Sequence, residues 1–128
     1  DVPANQGTIS LVAGIVKAIK VFGFYVSGFN AYISTEVISS AGVSSSASFE
    51  MLICSIIDFF FNQNQLNPII YAKIGQYAEN NYWNKASGLM DQMACAVGGT
   101  ILLDFSKDIE YQKIDFDFSK IQERAMLI

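Results

Sequence analysis

The chain has 128 residues, 52% of them hydrophobic and 16% charged, enough apolar content for one packed domain and too much for a disordered segment. A net charge of −4 leaves no basic patch of the kind that duplex DNA or RNA requires, so nucleic acid is not expected as a partner. Histidine is absent, which removes Ser-His-Asp triads, Cys-His dyads and His-ligated zinc from consideration.

From the N-terminus, Thr8 to about Phe22 reads as a buried helix, with Ile9, Val12, Val16 and Ile19 on one face and Leu11, Ile15, Ala18 and Phe22 on another, and Gly23 ends it. A strand is expected from about Tyr25 to Ile38, because Phe29, Ala31, Ile33, Thr35 and Val37 alternate with Asn30, Tyr32, Ser34 and Glu36. Gly42 to Glu50 joins a run of small hydroxyl residues to an amphipathic helix that continues to about Asn62. On that helix Phe49, Leu52, Ile53, Ile56, Ile57 and Phe60 form the apolar stripe, and Glu50, Cys54 and Asp58 recur on another face. Phe22, Phe24, Phe49, Phe59 and Phe60 are read as core, Trp83 as a residue exposed beside a turn, and Cys54 and Cys95 as buried thiols that suit a reducing cytosol.

Asn62 to Asn67 is a polar connection, and Pro68 suits the first turn of a helix reaching about Tyr82. Asn84 to Gly88 makes a turn, Leu89 to Val97 a short helix, and Gly98-Gly99 breaks it. Thr100 to Phe105 and Glu110 to Phe116 then read as two strands joined around Ser106 to Asp108. With no repeat and no linker, residues 1–128 are expected to form a single α+β unit. The runs Leu11 to Phe24 and Phe49 to Phe61 carry charges and are too short to cross a bilayer, and the start lacks a signal-peptide layout.

A serine run before a helix is ordinarily a flexible connector or an N-cap. It is also how a helix N-terminus offers free N–H groups to an anion. No Lys or Arg lies between Lys20 and Lys73, so the Walker A pattern ending in Gly-Lys-Ser/Thr is absent. Phosphate held here would depend on backbone and hydroxyls, with a metal or distant cations supplying positive charge.

The ordered series Gly42-Val-Ser-Ser-Ser-Ala-Ser-Phe-Glu50, Ile74-Gly-Gln-Tyr-Ala-Glu-Asn80 and Ser87-Gly-Leu-Met-Asp-Gln-Met-Ala94 resembles the galactokinases, within the GHMP family of small-molecule kinases. The likeness runs from about Gln6 to about Lys120. It implies the central part of a GHMP kinase N-terminal ATP-binding domain, a ribosomal protein S5 domain 2-like fold with helices packed on a mixed sheet. The family's first motif, with its arginine and sugar-binding acids, is expected before Asp1 and its glycine-rich third motif after Ile128, so these residues alone are expected to be inactive.

The activity so implied is transfer of the γ-phosphoryl group of MgATP to the C1 hydroxyl of galactose, giving galactose 1-phosphate and ADP in the cytoplasm. Its partners are ATP, a monosaccharide and the remainder of the parent kinase, with no membrane. Another GHMP kinase, acting on mevalonate or a different sugar, and a non-catalytic sugar or nucleotide sensor remain open alternatives.

Carried onto this chain, the resemblance makes Asp91 the base beside the anomeric hydroxyl, where its plain reading is a first-turn carboxylate on a helix dipole. Gly88 would let backbone approach the sugar. Glu79, otherwise an ordinary helical glutamate, would bind Mg²⁺ with Ser46, while Ser44 and Ser45, with the backbone of Gly42 and Val43, would hold the β- and γ-phosphates. The chain departs from the family pattern at Ile38-Ser-Ser-Ala41, where Ser40 replaces a glycine, and at Asn84, a position where glycine is usual and which tolerates positive φ. Val43 and Phe49 each replace leucine.

Overall fold

The computed structural model describes residues 7–38, 42–117 and 119; Ser39, Ser40 and Ala41, which include the Ser40 departure, lie outside them, as does Lys120. Among these described residues four helices, α1 (Thr8–Val21), α2 (Ser45–Phe61), α3 (Pro68–Tyr82) and α4 (Met90–Val97), precede two strands, β1 (Thr100–Asp104) and β2 (Glu110–Ile114). The class is α+β, and each helix lies within a residue or two of its expected span.

Local chemistry accounts for the boundaries. Gly23 has φ 86°, its N–H donates to the Lys20 carbonyl, and the Phe24 N–H donates to the Ile19 carbonyl, the paired bonds of a Schellman stop. α3 starts on Asn67, whose side chain accepts the Ile70 N–H at 2.9 Å, and Pro68 occupies the first turn, where its missing N–H costs nothing.

The helices form one compact unit ending at Val97, and the strands belong to a second beginning at Gly98. In the helical unit Leu11, Ile15 and Ile19 of α1 meet Met51, Ile53 and Ile57 of α2 and Ile74 and Ala78 of α3. α1 and α3 approach to backbone contact: a Cβ on Gly14 would lie 2.9 Å from both Cα and Cβ of Ala78 and 3.0 Å from Tyr82 Cδ2. Gly14→Val is therefore expected to force the two helices apart and lower stability by about 2–3 kcal/mol, measured as a lower denaturant midpoint.

In the second unit β1 and β2 pair antiparallel, with Leu102 opposite Gln112 and Thr100 opposite Ile114. The sheet of the described residues is thus a two-stranded antiparallel ladder rather than a mixed one. Among the described residues no helix is long and apolar enough to cross a membrane.

Several further expectations are corrected. Tyr25 to Ile38 is not a strand, since among the described residues no neighbour pairs with it, and backbone alternation without a ladder does not make one. Phe24, Val26, Phe29 and Ile33 instead rest on the helical core, and the Asn62 side chain pins the segment by accepting the Tyr25 N–H at 2.9 Å and donating to its carbonyl at 2.8 Å.

α2 is turned so that the face bearing Glu50, Cys54 and Asp58 is fully buried, while Leu52 and Phe60 of the apolar stripe are exposed. The burial is supported because Asp58 accepts the Leu66 N–H at 3.2 and 3.3 Å and the Tyr71 hydroxyl at 2.8 Å. Consequently Phe59 and Phe60 are surface residues, 62% and 67% exposed, and Phe22 is exposed too, whereas Phe24 and Phe49 do pack on the core. Cys54 is buried as expected, but Cys95 is only half-buried. Trp83 is half-buried as well, its indole N–H donating to the Gly7 carbonyl at 2.8 Å.

Candidate functional site

The hydroxyl-rich turn enters α2 through left-handed backbone: Gly42 has φ 72° and Ser44, the residue preceding the helix, has φ 57°. The Ser44 side chain makes no capping bond, although its carbonyl accepts the Ser48 N–H at 3.0 Å and so closes the first turn. Gly42, Val43 and Ser44 thus lead to a helix start at Ser45 and Ser46, whose N–H groups, like those of any first turn, have no partner within the helix. A cleft of about 720 Å³ opens there, bordered by Thr35, Ser45, Ser46, Ser48, Phe49 and Trp83 among others. Its size falls among ordinary ligand sites.

Ser46 also belongs to a buried carboxylate cluster. Its hydroxyl donates to Glu79 Oε1 at 3.1 Å, bringing together the two residues to which a metal role was assigned, 33 positions apart in the chain. The same oxygen accepts Lys85 Nζ at 2.9 Å. The other Glu79 oxygen accepts Gln92 Nε2 at 3.3 Å, and that amide nitrogen is also 3.3 Å from Glu50 Oε2. Glu50, Glu79 and Gln92 are all buried, to within 2% of complete.

Such a cluster holds together only if its charge is managed. Burial, then the neighbouring charge of Glu79 and a hydrogen bond to it, raise the Glu50 carboxyl to about 9, so Glu50 is a neutral acid near pH 7. Glu50 Oε1 has no hydrogen-bond partner among the described residues, while the protonated carboxyl as a whole is hydrogen-bonded to Glu79. For Glu79 burial also pushes upward, but hydrogen bonds from Lys85, Ser87 and Glu50 and the charge of Lys85 outweigh it and hold the carboxyl below its ordinary value. One neutral acid, one carboxylate, one amide and one ammonium share the site.

Gly75 of α3 makes room for this arrangement. A Cβ there would come within 2.5 Å of Glu50 Oε2 and 3.1 Å of Gln92 Cγ.

Asp91 lies half-buried in the first turn of α4, directly before Gln92, so the amide that ties α4 to Glu79 also sets where the Asp91 backbone stands. Gly88 is exposed, with open space where a side chain would be. Burial, then the charges of Asp91 and Glu50, push the Cys95 thiol upward. Asn84 has φ 51°, so the chain makes a left-handed turn there after α3.

Ser46 and Glu79 offer hard oxygens 3.1 Å apart, a donor set that suits Mg²⁺. Among the described residues no group of three or more His, Cys, Asp and Glu is placed to hold a metal, so phosphate oxygens and water would have to complete the shell, as they do for Mg²⁺ in kinases.

Sequence reasoning missed Glu50, Lys85 and Gln92. Glu50 and Gln92 lie inside the quoted motifs, and Glu50 recurs with Cys54 and Asp58 at helical spacing, but burial of that face was not legible. Lys85 is a lone cation in a turn, and only the folded chain puts it on Glu79.

Residues 10–99 match the family described as GHMP kinases N terminal domain. The chain is 37% identical over 107 residues to a galactokinase of Clostridium tetani, covering 81% of this chain and 27% of that protein. It is 40% identical over 95 residues to one of Clostridium perfringens (71% and 24%). A third, from Limosilactobacillus reuteri, is 34% identical over 117 residues (88% and 29%). The chain thus spans about a quarter of the length of these curated relatives.

Proposed function

This chain belongs to the GHMP kinases, and we propose that it forms the central part of the ATP-binding domain of a galactokinase, which transfers the γ-phosphoryl group of ATP to the C1 hydroxyl of galactose. The supporting observation is the 3.1 Å contact between Ser46 and Glu79 at the mouth of α2, beside a cleft large enough for a nucleotide. Relatives named galactokinase at 34–40% identity direct the reading to galactose within the family. The free thiols Cys54 and Cys95 fit a reducing cytoplasm.

In this reading the backbone of Gly42 and Val43, with Ser44 and Ser45, holds the β- and γ-phosphates against the positive end of the α2 dipole. Ser46 and Glu79 hold Mg²⁺, which when bound neutralises phosphate charge and so favours attack at the γ-phosphorus. The Asp91 carboxylate accepts the proton of the sugar C1 hydroxyl as that oxygen forms its bond to phosphorus and the β–γ bridge bond breaks. Gly88 leaves backbone space beside the sugar. Glu50 and Gln92 orient Glu79 rather than touching substrate.

The test is phosphorylation by the full-length protein of galactose, glucose, N-acetylgalactosamine and mevalonate in parallel with MgATP. Galactose is expected to give the highest kcat/KM. Preference for another acceptor moves the protein to another GHMP branch, and no transfer to any of them defeats the kinase reading.

A further inference from the structure

The cation on Glu79 is Lys85, and its position is built rather than incidental. Asn84, at φ 51°, turns the chain back at the end of α3, and the Lys85 N–H then donates to the Glu79 carbonyl at 3.1 Å. That backbone bond anchors the lysine, and its side chain reaches Glu79 Oε1 at 2.9 Å from the solvent side, 53% exposed while the glutamate is fully buried. The oxygen it meets is the one that also accepts from Ser46, so ammonium and hydroxyl converge on one atom.

A divalent cation held by Ser46 and Glu79 would need that same oxygen, and two cations cannot occupy it without strong repulsion. We propose that Lys85 is a displaceable counter-ion that competes with the metal for Glu79, so that the nucleotide-free site resists capture of a bare divalent ion and the metal is accepted together with its phosphates. This rests on the assignment of the metal to Ser46 and Glu79. The physical reason is one of balance. A buried carboxylate without a cation is costly, so the tethered ammonium stabilises the empty site. Metal alone must displace the ammonium with no new anion to receive it, whereas metal arriving with a triphosphate brings fresh negative charge toward which Lys85, half-exposed and flexible in its four-carbon stem, can turn.

The test is Mn²⁺ binding to the full-length protein without nucleotide, followed by electron paramagnetic resonance, in wild type, Lys85→Met, Lys85→Arg, Glu79→Gln and the Glu79→Gln/Lys85→Met double variant. Lys85→Met is expected to bind Mn²⁺ between about three- and tenfold more tightly than wild type, the modest range reflecting solvent screening of a half-exposed pair. Lys85→Arg should restore the wild-type value, and adding Glu79→Gln should abolish the gain. Unchanged or weaker binding in Lys85→Met, with Glu79→Gln still weakening binding, overturns the competition while leaving the metal assignment intact. If Glu79→Gln changes nothing in either background, the metal is not on Glu79 and both ideas fall.

Discussion

Asp91→Asn in the full-length protein is expected to lower kcat by about two to four orders of magnitude while KM for MgATP changes little. The side chain stands half-buried in the first turn of α4, one residue before the Gln92 amide that joins α4 to Glu79. Asparagine preserves the shape and can still accept a hydrogen bond at a helix start, so the fold is retained at a cost of about 1 kcal/mol or less from the lost charge–dipole interaction. What it cannot do is take a proton from a sugar hydroxyl. Steady-state kinetics checked against an unchanged denaturation midpoint separate the two effects. Retention of kcat within about threefold in the variant excludes Asp91 as the base, because general-base contributions are far larger.

Glu50→Gln is expected to stabilise the protein at alkaline pH and to flatten its stability profile. The carboxyl rises from 4.5 to about 9 on folding because of burial and the adjacent Glu79. Between those values the native state keeps a proton that the unfolded state has released. Unfolding therefore releases a proton, and stability falls as pH rises. Glu50 contributes most below about pH 4.5, and that contribution is lost progressively as pH climbs toward 9. The total swing is on the order of 5 kcal/mol if the acid remains as isolated as the structure places it.

A glutamine at this position is neutral at every pH, its carbonyl can accept from Gln92 and its amide can donate to Glu79, reproducing the bonds of the protonated acid. Chemical denaturation from pH 5 to 9 should show wild type losing a few kcal/mol that Glu50→Gln keeps. Parallel profiles for the two proteins would mean that Glu50 is ionised in the native state.

The sequence by itself determined much of this protein. Capping and stop residues are local, so Asn67-Pro68 and Gly23 mark helix ends that the structure reproduces, and the three spaced motifs carry a family likeness that the match over residues 10–99 bears out. Ser46 and Glu79 were paired from those motifs, and the fold brings them to 3.1 Å.

Tertiary structure alone decided which face of α2 turns inward. Both stripes are partly buried: Ile53 and Ile57 pack in the core beside Glu50 and Asp58, whose desolvation is repaid by donors from Leu66, Tyr71 and Gln92, while Leu52 and Phe60 are left at the surface. The same reasoning explains Tyr25 to Ile38, where Phe29 and Ile33 rest on the core but Ala31, Thr35 and Val37 are exposed, and where alternation cannot create the partner that a ladder requires. It also explains Lys85, for which a single ammonium in a turn carries no signal until the chain folds back onto Glu79. Hydrogen-bond partners, charge neutralisation and ladder neighbours are properties of pairs, and pairs far apart in sequence exist only in the folded state.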